Sequence, residues 1–133
     1  MSDPVLDCSA LLAFLLREPG AEQVEAILPA AAMSAVNFTE ALTKLVERGI
    51  PPANARDVVL GLGIEIVDFD ADQAVRAAAL REPTRKAGLS LGDRACLALA
   101  LQRQAPALTS DKAWLRLPAA GLPPIICIRG AAS

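Results

Sequence analysis

Four carboxylates, Asp7, Glu40, Asp93 and Asp111, stand near the junctions of apolar segments and helices. The chemistry open to such a set is narrow. The chain has no histidine and no tyrosine, which removes Ser-His-Asp and Cys-His nucleophilic sites and histidine-based acid–base chemistry. The common zinc sites need histidine or clustered cysteine, whereas Cys8, Cys96 and Cys127 are widely spaced and form no CxxC pair. Carboxylates that converge repel one another unless a cation neutralises them. Hard oxygen donors suit Mg²⁺ or Mn²⁺. A cluster of this kind could hold one or two such ions, activate a water and stabilise charge on a phosphate under in-line attack.

Each carboxylate also has a local reading, and the two remain open side by side. Asp7 lies in Val5-Leu6-Asp7-Cys8-Ser9-Ala10-Leu11-Leu12, where a short apolar run meets an apolar helix. Open α/β sheets place ligands outside the carboxyl ends of their strands, yet Asp and Ser are also favoured helix N-caps. Asp93 can close a capping box with Ser90. At ~100° per residue it also shares a stripe with Leu97 and Ala100, where a buried charge needs a partner or a cation. Asp111 follows a short strand and can cap the turn after it. Glu40 shares the polar side of its helix with Asn37, Lys44 and Glu47, which a solvated face would explain. Asp68, Asp70 and Asp72 lack the glycine and bidentate glutamate of an EF-hand loop, so Asp70 reads as a cap and its neighbours as solvated.

The elements that must position these residues are short. A strand ends at Val5-Leu6, followed by a helix from about Ala10 to Leu16. Glu18-Pro19-Gly20 breaks the chain before an amphipathic helix from Ala21 to Leu28. A strand is expected over Ala31 to Ala35. A helix from Asn37 to Arg48, with an apolar stripe of Phe38, Ala41, Leu42, Leu45 and Val46, closes at Gly49. Pro51-Pro52 opens a helix from Ala53 to Leu62. This hairpin carries more apolar residues than one small sheet needs, which points to a protein interface. Ile64 to Phe69 is the clearest strand, and a helix follows from Ala71 to Arg81. Residues 82–89 read as a loop. Leu91 to Gln104 is apolar nearly all round and should be a buried helix. Ala107 to Thr109 and Pro124 to Ile128 are the last strands, with a helical turn near Lys112 to Leu117 between them. Short apolar strands alternating with helices imply an α/β fold whose parallel sheet is covered on both faces.

At 133 residues the chain is long enough for one domain with its own core, here spanning 1–133. It is 53% apolar with a mean hydropathy of +0.39. The longest mostly apolar run, 28–36, falls far short of the roughly 18 residues of a membrane span. No basic segment precedes an apolar one, so a cytoplasmic protein without a signal peptide is expected. The odd cysteine count then argues for free thiols, two or three of them in the core. A net charge of −2 is not the overall footprint of a nucleic-acid binder. Locally, Arg76, Arg81, Arg85, Lys86 and Arg94 form the densest basic stretch, which a solvated helix face would also explain.

The four acidic segments in order, together with Met33-Ser34-Ala35-Val36-Asn37-Phe38-Thr39-Glu40, Leu89-Ser90-Leu91-Gly92-Asp93-Arg94-Ala95-Cys96 and Leu108-Thr109-Ser110-Asp111-Lys112-Ala113-Trp114, resemble a PIN domain. The resemblance is closest to VapC-type toxins of toxin–antitoxin pairs and runs from Val5 to about Ile128. It implies a three-layer α/β/α fold with strands ordered roughly 3-2-1-4-5, and a Mg²⁺- or Mn²⁺-dependent endoribonuclease. Asp7, Glu40, Asp93 and Asp111 would form the catalytic and metal-holding cluster. Ser9 and Thr109 would be hydroxyl neighbours, and Asn37 a supporting residue. Arg85, Lys86 and Arg94 would contact RNA phosphates. The resemblance also implies a homodimer and a small VapB-type antitoxin whose C-terminal segment covers the groove. Cys8 stands where many relatives carry alanine or threonine. Two alternatives remain from other classes: a catalytically weak PIN-like module acting through protein partners, and a phospho-acceptor at Asp7. Against the latter, no Asp-x-Asp pair follows the first strand.

Overall fold

A computed structural model of the chain describes residues 3–129. Its sheet has five parallel strands: β1 (Val5–Leu6), β2 (Ala32–Ser34), β3 (Glu65–Val67), β4 (Ala107–Thr109) and β5 (Ile125–Cys127). They lie in the order β3-β2-β1-β4-β5, the order that the resemblance implies. The register pairs Val5 with both Ala32 and Ala107, and Leu6 with Leu108. Side chains alternate along a strand, so register-paired residues share a face and successive residues face opposite sides. Leu6, Met33 and Leu108 join a core with α1 (Cys8–Leu15), α2 (Ala21–Glu25), α3 (Ala35–Glu47) and α4 (Pro52–Leu60). Val5, Ala32 and Ala107 join a second core, on the other face, with α5 (Ala71–Ala79) and α7 (Leu91–Arg103). Small residues on that face let α7, itself buried from Ala95 to Ala100, sit deep against the sheet.

The element boundaries depart from expectation where capping decides them. The first helix starts at Cys8 rather than Ala10, because Asp7 is its N-cap and accepts from Ala10 N at 2.8 Å. The helix expected from Asn37 starts at Ala35, capped by Ser34. The second helix stops at Glu25, and Leu28–Ala30 is a separate 3-10 turn. The segment read as a loop over 82–89 begins with a helical turn, α6 (Arg81–Thr84). Pro83 is tolerated there because it lies in the first turn, where backbone N–H groups have no intrahelical partner. Gly20 takes a positive φ of 95° against the Ile128 side chain, a conformation L-residues with a Cβ rarely adopt.

The hairpin of α3 and α4 buries Ala41, Leu45, Ala55 and Val59 but leaves Val46, Val58 and Leu60 between 41% and 46% exposed. Val46, part of the expected apolar stripe, thus faces solvent together with Val58, in keeping with the surplus of apolar residues expected on this hairpin. Leu91, on the helix expected to be buried all round, is 52% exposed. Among the described residues no helix is long and apolar enough to cross a membrane. Cys96 and Cys127 are buried and Cys8 is half-buried.

Candidate active site

The strand order reverses between β1 and β4, both of which pair directly. In an open parallel sheet the crevice at such a switch point, outside the carboxyl ends of the strands, is where ligands bind. A cleft of about 210 Å³ lies there, lined by Asp7, Glu40, Asp93 and Asp111 with Ser9 and Lys44, and further by Cys8 and Leu12. Capping and cleft-lining thus coincide. Asp7 caps α1, Asp93 belongs to the capping box of α7, and Asp111 caps the turn Lys112–Arg116 through Ala113 N at 2.9 Å. Each cap bond orients a carboxylate rather than consuming it. Asp93 uses Oδ2 for Ser90 N and Asp111 uses Oδ1 for Ala113 N.

Asp7 is the most buried of the four, with 3% exposure. Thr109 Oγ1 donates to its Oδ2 at 2.5 Å, and Ser9 Oγ donates to Oδ1 at 2.8 Å. Thr109 Oγ1 also accepts from Asp111 N, and Ser9 Oγ from Ser110 N. The two hydroxyls therefore tie the turn after β4 to the end of β1. Burial pushes the Asp7 carboxyl up from 3.8 to about 6 against the opposing pull of the Thr109, Ala10 and Ser9 hydrogen bonds, and the Asp93 charge raises it further. The Glu40 carboxyl is also raised, first by burial and then by Asp93, with Asn37 and Lys44 opposing. Burial pushes the Cys8 thiol up to about 12, helped by the Glu40 and Asp7 charges.

Glu40 is half-buried rather than solvated. Asn37, read from the helical pattern as a polar-face residue, is only 1% exposed. Its Nδ2 donates to Glu40 Oε1 at 3.2 Å and to the Gly92 carbonyl at 3.0 Å, which fastens α3 to the start of α7. Its Oδ1 is buried without a partner. A Cβ on Gly92 would overlap the Glu40 carboxylate, which would have to swing out of its present position. Sequence reasoning assigned no role to Gly92 or Lys44. The available signal was spacing, since Lys44 lies one turn beyond Glu40 and so shares its face.

The expected phosphate contacts separate. Arg85 and Lys86 line a different hollow, together with Arg116. Arg94 joins neither site. Its Nη1 donates to the Ala77 carbonyl at 2.9 Å and its Nε is buried, so it fastens α7 to α5. Of the acidic patch near β3, Asp70 caps α5 and Asp72 pairs with Arg76 at 2.9 Å. A larger hollow, about 560 Å³, lies beside β3. Its arginine, Arg103, is already held by a fork to Glu65 at 2.7 Å.

The donor set decides which cation the cleft suits. It offers acceptor oxygens and no imidazole, and its thiol is held protonated, which fits a hard divalent cation and not a soft one. The Asp7 and Glu40 carboxyls are raised first by burial and further by the Asp93 charge, and a cation beside them would favour their ionised forms. Among the described residues no three acidic or thiol side chains are gathered into a group that could hold a metal ion by themselves.

A PIN domain family model matches residues 5–120, and the chain belongs to the PIN domain family. Its fold is similar to a toxin–antitoxin complex from Klebsiella pneumoniae, with a TM-score of 0.70 at 23% identity over 94% of this chain and 97% of that one. It is likewise similar to a DNA-bound VapBC from Salmonella typhimurium, with a TM-score of 0.71 at 18% identity over 96% and 99% of the two chains. VapBC-5 from Mycobacterium tuberculosis gives 0.65 at 24% identity over 94% and 98%. Comparison with curated proteins gives no match.

Proposed function

We propose that the protein is a Mg²⁺- or Mn²⁺-dependent endoribonuclease, the toxin of a VapBC-type pair. The observation that carries the reading is the single cleft lined by Asp7, Glu40, Asp93 and Asp111 at the switch point of the sheet. Membership of the PIN family, whose members are generally nucleases, and similarity to toxin–antitoxin complexes support it. Asp7 and Asp93 would hold the cation, with Glu40 and Asp111 beside them. A divalent cation in that position supplies Lewis-acid stabilisation of phosphate charge and makes water a stronger nucleophile. Ser9 and Thr109 fix the Asp7 carboxylate by hydrogen bonds, and Asn37 fixes Glu40. Lys44, the cation in the cleft wall, balances part of the acidic charge before RNA arrives.

The partners follow the same reading. A VapB-type antitoxin covers the groove, and the exposed Val46, Val58 and Leu60 on α3 and α4 suit a homodimer contact. The test is cleavage of a total-RNA pool by purified, antitoxin-free chain with Mg²⁺, beside Asp93→Asn and a chelator control. Discrete fragments lost in both controls are expected. Intact RNA with a well-folded protein across several RNA sources would overturn the nuclease reading and favour the non-catalytic binding module.

A further inference from the structure

Among the described residues several arginines already have a partner. Arg76 pairs with Asp72, Arg56 with Asp57 and Arg103 with Glu65. Arg94 donates to a carbonyl, and Arg17 lies over the Phe14 ring. The exception with a shape to it is the hollow of about 420 Å³ lined by Arg85, Lys86, Arg116, Glu82, Leu117 and Pro118. Its one anion, Glu82, reaches Arg85 only at 3.8 Å and both side chains are largely exposed. Lys86 and Arg116 make no ion pair among the described residues. A pocket holding three cations against one carboxylate therefore persists on a chain whose net charge is −2.

The position matters as much as the charge. Residues 85–89 lead directly into the Ser90–Asp93 capping box, and Arg116 ends the turn that Asp111 caps. The two segments that carry cleft carboxylates thus also carry the cations. At ~2 Å of rise per residue in a 3-10 turn, Arg116 sits about 10 Å from Asp111. That distance suits a neighbouring phosphate of the strand being cut rather than the scissile phosphate itself. Arginine forks match phosphate oxygens bidentately, and lysine adds a compact charge.

We propose that Arg85, Lys86 and Arg116 form a backbone phosphate subsite that holds single-stranded RNA as it leaves the carboxylate cleft. The inference rests on the nuclease reading, since it takes RNA as the polymer in the cleft. The subsite contacts backbone and not bases, so it adds affinity without sequence preference.

The experiment measures binding of a fluorescein-labelled oligouridylate to the full chain in chelator at several NaCl concentrations. Cleavage with Mg²⁺ is followed in parallel. The variant combines Arg85→Gln, Lys86→Gln and Arg116→Gln. With each lost contact worth about 0.7 in the slope of log K against log salt for a single strand, the slope should shallow by about 2. The apparent KM for RNA should rise while kcat holds. The single variant Arg116→Gln should give about a third of the slope change, which guards against a misfolded triple variant. Wild-type cleavage with an unchanged slope and KM in the variant would overturn the subsite and leave the nuclease standing. Binding that loses slope in the variant, with no cleavage by wild type, would sink the nuclease and keep the subsite. Wild-type protein that neither binds nor cuts would sink both. Labelled polyglutamate is titrated beside the RNA, and a variant that keeps RNA binding but loses a wild-type affinity for polyglutamate would reassign the pocket to an acidic peptide and overturn the proposal.

Discussion

Replacing Asp7 by asparagine should make the metal-free protein more stable while removing its activity. Burial holds the Asp7 carboxyl at about 6 in the folded chain against 3.8 as a reference value. Each pKa unit is worth ~1.36 kcal/mol, so keeping this carboxylate ionised in the fold costs about 3 kcal/mol at pH 7.5. The sign follows from proton counts. Well below pH 3.8 the group is protonated in both states and contributes nothing. Between about 4 and 6 the folded state keeps the proton that the unfolded state has released, so stability falls as pH rises. Above 6 the full loss is reached. Asparagine preserves most of the local bonding, because Thr109 Oγ1 can accept from the new amide and turn its own proton toward Ser9 Oγ, 3.2 Å away. Urea unfolding in chelator, followed by fluorescence of the buried Trp114, should show Asp7→Asn more stable by up to about 3 kcal/mol at pH 7.5. The difference should shrink to about 0.5 kcal/mol near pH 4 and vanish below about pH 3. Added Mg²⁺ should stabilise wild type as mass action requires and leave the variant unchanged. A stability difference that is flat from pH 4 to 7.5, or a variant weaker than wild type at pH 7.5, would refute the reasoning.

Thr109→Val removes a hydrogen bond that favours the ionised Asp7. The acidic limb of the cleavage pH profile should move to higher pH, with a larger loss at pH 6 than at pH 8. Gly92→Ala should fold but push Glu40 from the position that Asn37 holds, lowering kcat with little change in melting temperature; full activity would show that Glu40 is not needed there. Cys8, its thiol pushed up to about 12, should react with iodoacetamide at pH 8 on the order of 10³-fold more slowly than an ordinary cysteine, because the thiolate is the nucleophile. Peptide mapping of the labelled protein would read this directly. Gly20→Ala should destabilise the fold by at least ~1 kcal/mol in the same urea assay, since its φ of 95° and the Ile128 contact both oppose a Cβ.

The strands and their order were legible because parallel strands buried on both faces read as short apolar runs between helices. The resemblance supplied the order itself. Helix starts were misplaced by two residues at Asp7 and Ser34 because the cap, not the first apolar residue, decides where a helix begins. Asn37 shows a different limit. Helical periodicity places it on a polar face, but α7 packs over that face and buries it, a tertiary contact that no local pattern encodes. Arg94 is the mirror case: it belongs by sequence to a basic run, and packing turns it to the Ala77 carbonyl. Glu40 could not be separated from a solvated residue by pattern, since a groove-lining carboxylate and an exposed one occupy the same helical face. For Asp7, Asp93 and Asp111 the capping and cleft readings were posed as rivals, and the fold satisfies both at once.

Under the proposed function, Asp7, Glu40, Asp93 and Asp111 form one cation site. The most direct measurement is Mn²⁺ binding to the purified chain, followed by loss of the free-ion paramagnetic resonance signal, in wild type, Asp7→Asn and Asp93→Asn. The account predicts saturable binding by wild type, at one or two ions per chain, that is weakened at least tenfold in each variant and competed by Mg²⁺. Binding of equal strength in all three proteins, or RNA cleavage by wild type that survives exhaustive chelation, would contradict it.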